Sequence, residues 1–375
     1  MPNKIHFANL NTLRFIAAFA VVIAHTEQIK FVRGLPNIYN IPFVEMMGSL
    51  SVDLFFVLSG FLITSLLFIE KETISGISIK KFILRRLLRI WPLYFIIMVM
   101  GFYVMPLFPS LRLGTPFVDV NDNFMTNFIL YLLFLPHIQS IVIGPILYCA
   151  QAWSIGIEEQ FYVFWPFVVK KFSQKGIVNF IAIFSIIYLG ICILLSLATH
   201  SAFLIDKFSL KTLVTTSLVF SHRLKFDCLL IGALFAIINN KSLGFSFILN
   251  KNFQILIYSL EFILMFSGYG FHGFFWEIHA VLYGFIILNL VRTDTSIINI
   301  DYPIFDYLGK ISYGVYMYHI LIINLVISVL YRFDLMILIY PTIFLLVILL
   351  SSFSYKYIEG YFLKKKKDFS VINTG

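Results

Sequence analysis

Arg14 and His25 stand eleven positions apart in an otherwise apolar stretch near the start of the chain. Eleven helical steps, at about 100° and 1.5 Å each, return to nearly the same face about 16 Å further along. A cation at one membrane surface would thus share a helix face with an imidazole deep in, or beyond, the middle of the bilayer. Ionisable groups within lipid are costly and mark function by default. The cation suits a polyanionic cofactor held at the surface, while the imidazole does chemistry at the far end of the cofactor's arm.

Five further clusters break the apolar pattern. In residues 51–61, Asp53 is placed to orient or charge-balance an imidazole on a neighbouring span. Ser59 and Gly60 there are small enough for close helix approach. A packing seam with an interfacial Asp is the plainer reading of the same segment. Arg86 and Arg89, three apart, share a helix face at the cytoplasmic surface, where arginine forks suit phosphate oxygens. Simple retention of positive charge on the inner side explains them equally.

Glu158 and Glu159 are neighbours and differ by about 100° around a helix. One therefore points into the bundle and the other toward the interface. A bundle-facing glutamate suits acid–base work or a hydrogen bond to an imidazole. Arg223 and Asp227 form an (i, i+4) pair that reads as structural. Tyr313, Tyr316 and His319, at three-residue spacing, make a polar stripe that reads as cavity lining. The remaining histidines, at 6, 137, 200, 222, 272 and 279, are assigned no chemistry.

The elements that must carry these residues follow from composition. The chain has 375 residues, of which 60% are hydrophobic and 13% charged; ordinary soluble domains are about 45–50% apolar and about 25% charged. An all-α, polytopic transmembrane bundle is expected. Spans are placed near 10–28, 45–69, 89–107, 150–169, 177–198, 223–240, 252–271, 274–292, 308–331 and 338–358. With both termini cytoplasmic, 20 of the 28 Lys and Arg residues fall on the inner side, as the positive-inside rule favours.

Residues 124–148 are apolar but interrupted by Pro136 and Pro145. They are read as an outer re-entrant or interfacial element too short to cross. A cleaved signal peptide is the competing reading of the N-terminus, but its A-x-A lies too early within the apolar run. The net charge of +9 is spread between spans rather than gathered on a soluble face, which argues against nucleic acid. Cys149, Cys192 and Cys228 lack ligand spacing and are odd in number, so buried thiols are expected and no metal site is.

These clusters, taken together, resemble the acyltransferase-3 family of bacterial membrane enzymes. Its Arg-x10-His element matches Arg14 and His25, FFxxSGF matches Phe55-Phe56-Val57-Leu58-Ser59-Gly60-Phe61, and RxxR matches Arg86-Leu87-Leu88-Arg89. A WSLxVEExFY-like segment is Trp153-Ser154-Ile155-Gly156-Ile157-Glu158-Glu159-Gln160-Phe161-Tyr162, and an SYxxYxxH-like one runs from Ser312 to His319. An RLD-like segment at 223–227 departs by inserting Lys225. The elements occur in this order across nearly the whole chain, over an expected domain of 6–360 followed by a short basic tail, 361–375.

The resemblance implies a multi-pass protein of the bacterial cytoplasmic (inner) membrane, embedded in its lipid bilayer. It implies transfer of an acyl group, usually acetyl, from cytoplasmic acyl-CoA to a hydroxyl of an extracytoplasmic glycan such as O-antigen, capsule, exopolysaccharide or peptidoglycan. Some members acylate macrolides instead. Larger members add an SGNH-type hydrolase domain, which a chain ending after Lys364 to Lys367 is expected to lack. Under this reading Arg14, Arg86 and Arg89 hold the CoA phosphates and His25 is general base or acyl carrier. Glu158 or Asp53 orients its ring, and Ser59, Tyr313, Tyr316 and His319 line the cavity. A non-enzymatic flippase or small-molecule transporter is the alternative of a different class, since it too needs polar groups inside a bundle.

Overall fold

The computed structural model describes residues 7–73, 76–199, 224–241, 246–267, 275–333 and 335–370. Its helices are α1 (Leu10–Val32), α2 (Pro42–Thr73), α3 (Ile79–Val99), α4 (Phe124–Leu132), α5 (Pro136–Val142), α6 (Ala152–Lys171) and α7 (Gln174–Thr199). There follow α8 (Phe226–Lys241), α9 (Lys251–Ser267), α10 (Phe275–Val291), α11 (Pro303–Lys310), α12 (Ser312–Leu330), α13 (Ile339–Ser354) and α14 (Gly360–Asp368). Among the described residues, six stretches are long and apolar enough to cross a membrane: Leu10–Val32, Pro42–Thr73, Ile79–Leu107, Gln174–Leu195, Ser312–Phe333 and Met336–Asp368. The other four expected spans correspond to α6, which carries two glutamates and two lysines, and to the shorter α8, α9 and α10.

Two boundaries differ from expectation for physical reasons. The third span begins at Ile79, ten residues before the expected position, because the arginine-rich stretch is itself helical. It extends past Val99 through a wide π turn, Met100–Val104. The last span likewise runs on past its expected end, into a helix that carries the basic C-terminal segment, Gly360–Asp368. A π turn at Tyr355–Glu359 joins α13 to α14, and α14 packs against α3.

Residues 124–142 form two short helices joined at Phe134, whose backbone is left-handed (φ 58°). Nine residues of helix rise about 13 Å, far short of a ~30 Å hydrocarbon core. The pair packs on α6, where Gly156 permits the approach: a Cβ there would lie 2.7 Å from the Phe134 carbonyl oxygen.

Two helix pairs fix the site. The first is α1 beside α12. Asn9 tethers the N-terminal end of α1 to distant chain segments by donating to the Leu290 carbonyl (2.8 Å) and accepting from the Ile300 amide (2.7 Å). Beyond it Gly309 meets Asn11 backbone to backbone; an added Cβ would stand 2.0 Å from the Asn11 oxygen. At the other end, the Arg33 guanidinium donates to Asn324 Oδ1 (2.6 Å) and Ser328 Oγ (2.8 Å). Pinned at both ends, α1 and α12 run parallel, and their register sets His25 beside His319.

The second pair is α2 and α8, also parallel, as Lys225–Asp53 at one end and Asn240–Glu72 at the other require. Their backbones touch: a Cβ on Gly60 would lie 1.9 Å from the Leu229 oxygen, and one on Gly232 2.1 Å from the Val57 oxygen. Small residues permit such approach where lipid supplies no hydrophobic drive between helices. Gly60→Ala or Gly232→Ala is expected to cost about 1–3 kcal/mol through overpacking. Thermal unfolding of detergent-solubilised protein measures it; an unchanged midpoint would mean that the helices separate freely.

Candidate active site

Three guanidinium groups converge near the N-terminal end of α1. Arg14 lies on the second turn of α1, and Arg86 and Arg89 face it from α3. All three are half-buried. Arg14 makes one long contact, Nη1 to Asn11 Oδ1 at 3.5 Å. Arg86 lies over the rings of Phe82 (5.4 Å) and Tyr162 (5.8 Å), with its Nε buried and unpartnered. Among the described residues no carboxylate comes within ion-pair distance of any of the three. The adjacent Arg85 is different: it is buried, paired with Glu70 at 2.6 Å and donates to the Phe369 carbonyl. The local sequence puts one arginine on the packing face and two on the cavity face.

Glu158 lies within electrostatic reach of Arg14 and Arg89. Ser59 donates to its Oε1 (2.6 Å) and Tyr162 to its Oε2 (3.0 Å). Lys366, on α14, is in electrostatic reach of Arg14, Arg86 and Arg89, so the basic C-terminal segment contributes to the cavity. Glu159 and Glu359 are in electrostatic reach as well, but four cations face three carboxylates and none of the three arginines is in a direct ion pair among the described residues.

From this cluster a polar trail leads along α12 toward the other end of the bundle. Tyr313 donates to the Ile90 carbonyl at 2.8 Å. Tyr316 shares a 2.8 Å hydrogen bond with Ser154 and donates to the Gln151 carbonyl at 3.1 Å. One turn further His319, fully buried, places Nε2 2.8 Å from Nδ1 of His25. The two ring planes lie 19° apart. His25 itself is only half-buried, and nothing among the described residues hydrogen-bonds its Nε2. The arrangement offers an anion cradle at one end and an accessible imidazole nitrogen at the other, about 16 Å away along α1.

A family profile described as an acyltransferase domain matches residues 7–356. The chain belongs to this acyltransferase family. It is similar to the O-acetyltransferase OatA of Staphylococcus aureus (strain NCTC 8325 / PS 47), with 26% identity over 384 residues, 96% of this chain and 58% of that protein. The same figures hold for OatA of S. aureus (strain COL). The chain therefore spans 58% of the length of these relatives. No solved structure gives a significant match.

Within this member of the family, the expected site residues separate into three places. Arg14, Arg86, Arg89, Glu158 and Ser59 meet in the arginine cluster, and His25, His319 and Tyr316 meet further along. Asp53 joins neither group. It is fully buried against α8, 3.0 Å from Lys225 Nζ, with Asp227 and His279 also near. Neither Asp53 nor Glu158 hydrogen-bonds His25; His319 holds that place. Helix periodicity put Asp53 at a plausible depth, but its azimuth faces α8. Both glutamates of α6 turn inward, contrary to expectation, because α3 covers the second one: Trp91 Nε1–H donates to Glu159 at 3.2 Å.

Two buried pairs lay outside the expected set. Lys225, which departs from the family segment, is the partner of Asp53 and holds a left-handed backbone (φ 49°). His279, assigned no chemistry from the sequence, is fully buried and hydrogen-bonded to Glu261 at 2.8 Å. A carboxylate inside α9 was the available signal, since it demands an internal partner. Arg223 lies outside the described residues. His137, in the α4–α5 hairpin rather than in a span, is pushed down to about 4 by burial and stays neutral near pH 7.

Asp53→Asn is expected to destabilise the protein by about 3 kcal/mol, because Lys225 is left as an unpaired buried cation. Asp53→Leu combined with Lys225→Met removes both charges and is expected to recover most of that loss. Unfolding midpoints of the three proteins check this. If the double variant is as unstable as Asp53→Asn, the pair does more than neutralise itself.

Proposed function

We propose that the protein is a membrane O-acyltransferase that moves an acyl group, acetyl first, from cytoplasmic acyl-CoA to a hydroxyl of an extracytoplasmic glycan. Its place is the bacterial cytoplasmic membrane, with ten crossings and both termini inside. The excess of Lys and Arg on the inner side in that topology supports it. The observation that carries the reading is the set of guanidiniums without an ion-pair partner at one end of α1 and the half-buried His25 ring at the other. Gathering like charges without direct ion pairs is costly, and a ligand with several phosphates is the chemistry that relieves it. The pantetheine arm of CoA is long enough to bridge the two ends without the nucleotide crossing.

In the transfer, the acceptor hydroxyl loses its proton to His25 Nε2 as its oxygen attacks the thioester carbonyl carbon. A tetrahedral oxyanion forms. Its collapse breaks the carbon–sulfur bond, and the thiolate takes the proton back from His25. No metal is required at any step. The printed names of the OatA relatives, O-acetyltransferases, support the reaction class.

The test is mass spectrometry of surface glycans from cells with and without the gene, alongside CoA release from acetyl-CoA by the purified protein. Loss of the acetyl mass increment on deletion, with CoA release in vitro, is the expected result. Neither glycan change nor CoA release would point to transport instead.

A further inference from the structure

His25 and His319 are joined nitrogen to nitrogen, and the second contact of His319 decides which of them donates. His319 Nδ1 lies 2.5 Å from the Tyr316 carbonyl oxygen. A carbonyl oxygen only accepts, so Nδ1 of His319 carries the hydrogen. A neutral imidazole has one N–H, and the other nitrogen is an acceptor. With both rings neutral, as a general base requires at the start, His319 Nε2 has a free lone pair. The 2.8 Å contact is then made by the Nδ1–H of His25. That leaves Nε2 of His25 without a proton and without a hydrogen-bond partner among the described residues.

We infer that His319 is a positioning residue: by accepting the Nδ1–H of His25, it holds that ring in the tautomer whose bare Nε2 faces the substrate. The inference rests on the reading of His25 as base but concerns a separate property of the molecule. The arrangement parallels the way an acceptor behind a catalytic imidazole fixes its tautomer elsewhere, where the wrong tautomer costs on the order of 10⁴ in rate. Here the acceptor is a second imidazole, fully buried, anchored by its own helix. It receives no proton from the substrate directly and touches no reacting atom. When Nε2 of His25 takes the acceptor's proton, the resulting cation keeps its Nδ1–H bonded to His319. The same Nε2–H then returns to the leaving thiolate, so no net proton leaves the pair.

The test is ¹⁵N NMR of histidine-labelled protein in nanodiscs, with the His25 signals assigned by their loss in His25→Ala. Wild type is expected to show His25 protonated at Nδ1 and bare at Nε2. His319→Leu removes the acceptor and is expected to return His25 to the Nε2–H form that free imidazole side chains favour. It should also lower kcat about 100-fold, while KM for acetyl-CoA stays within about twofold, since the arginine cradle is untouched. His319→Gln offers Oε1 as a replacement acceptor and is expected to restore the Nδ1–H form and bring kcat to within about tenfold of wild type.

An Nε2–H tautomer for His25 in wild type overturns the inference, and so does an unchanged kcat in His319→Leu. A merely structural role for His319 would lower the amount of folded protein without moving the tautomer. If His25→Ala transfers acyl groups normally, the proposed base assignment falls, while the tautomer measurement still reports on His319.

Discussion

His25→Ala is expected to lower acyl transfer from acetyl-CoA by 10³–10⁴-fold, at the upper part of the ~10²–10⁴ range for loss of a general base. Three features place it there. Its Nε2 has no competing partner among the described residues, its Nδ1 is already engaged by His319 at 2.8 Å, and the ring is only half-buried. In the variant His319 Nε2 loses its partner, but that ring is fully buried and held at Nδ1 by the Tyr316 carbonyl, so it stays behind the position that His25 vacates. Binding of acetyl-CoA should change little, since the arginines lie about 16 Å away along α1. Measured together, kcat should collapse while Kd for acetyl-CoA is preserved. Transfer at the wild-type rate by a normally folded His25→Ala protein would remove the imidazole from the chemistry. Glu158 would then be the next candidate, because it is held by Ser59 and Tyr162 beside the same cavity.

What could be read from the chain and what could not divides along a physical line. Arg14 and His25 share one helix, and 3.6-residue periodicity is a property of that helix alone. Their relation was therefore legible without any tertiary information. The same holds for Arg86 and Arg89. Which residue meets His25 depends on how α1 is set against its neighbours. That is decided by Asn9, Gly309 and Arg33, none of which signals a partner in sequence. His319 was legible as a polar residue on an apolar helix, but its contact with His25 was not. Asp53 shows the converse failure. Its depth was readable, while its direction was set by the close parallel contact of Gly60 and Gly232 with the facing backbone, which turns it toward Lys225.

The span boundaries show the same division. Residues 79–88 are too charged to be called membrane-spanning on hydropathy, yet they continue the helix because nothing in them breaks it. Arg85 can be buried there because Glu70 reaches it from α2. Hydropathy sees the charge and stops; the fold neutralises the charge and carries on.

Removing both cavity arginines, Arg86→Ala with Arg89→Ala, is expected to weaken acetyl-CoA binding by about 10³-fold. Each hydrogen-bonded contact to a charged phosphate contributes about 1.5–3 kcal/mol, and two together give the stated loss. The sign of the accompanying stability change is the more discriminating result. In the ligand-free protein these groups repel Arg14 and each other without a carboxylate in ion-pair range. Deleting them should therefore leave the unfolding midpoint unchanged or raise it. Arg85→Ala is expected to do the opposite. It strands Glu70 in a buried site and should cost about 3–5 kcal/mol, with little effect on CoA affinity per folded molecule. Comparison of CoA with dephospho-CoA sharpens the assignment: wild type should prefer the ligand with more phosphate, and the double variant should lose much of that preference. If the double variant binds acetyl-CoA as wild type does, Arg86 and Arg89 serve only to keep their end of α3 on the inner side, and the anion cradle must be sought elsewhere.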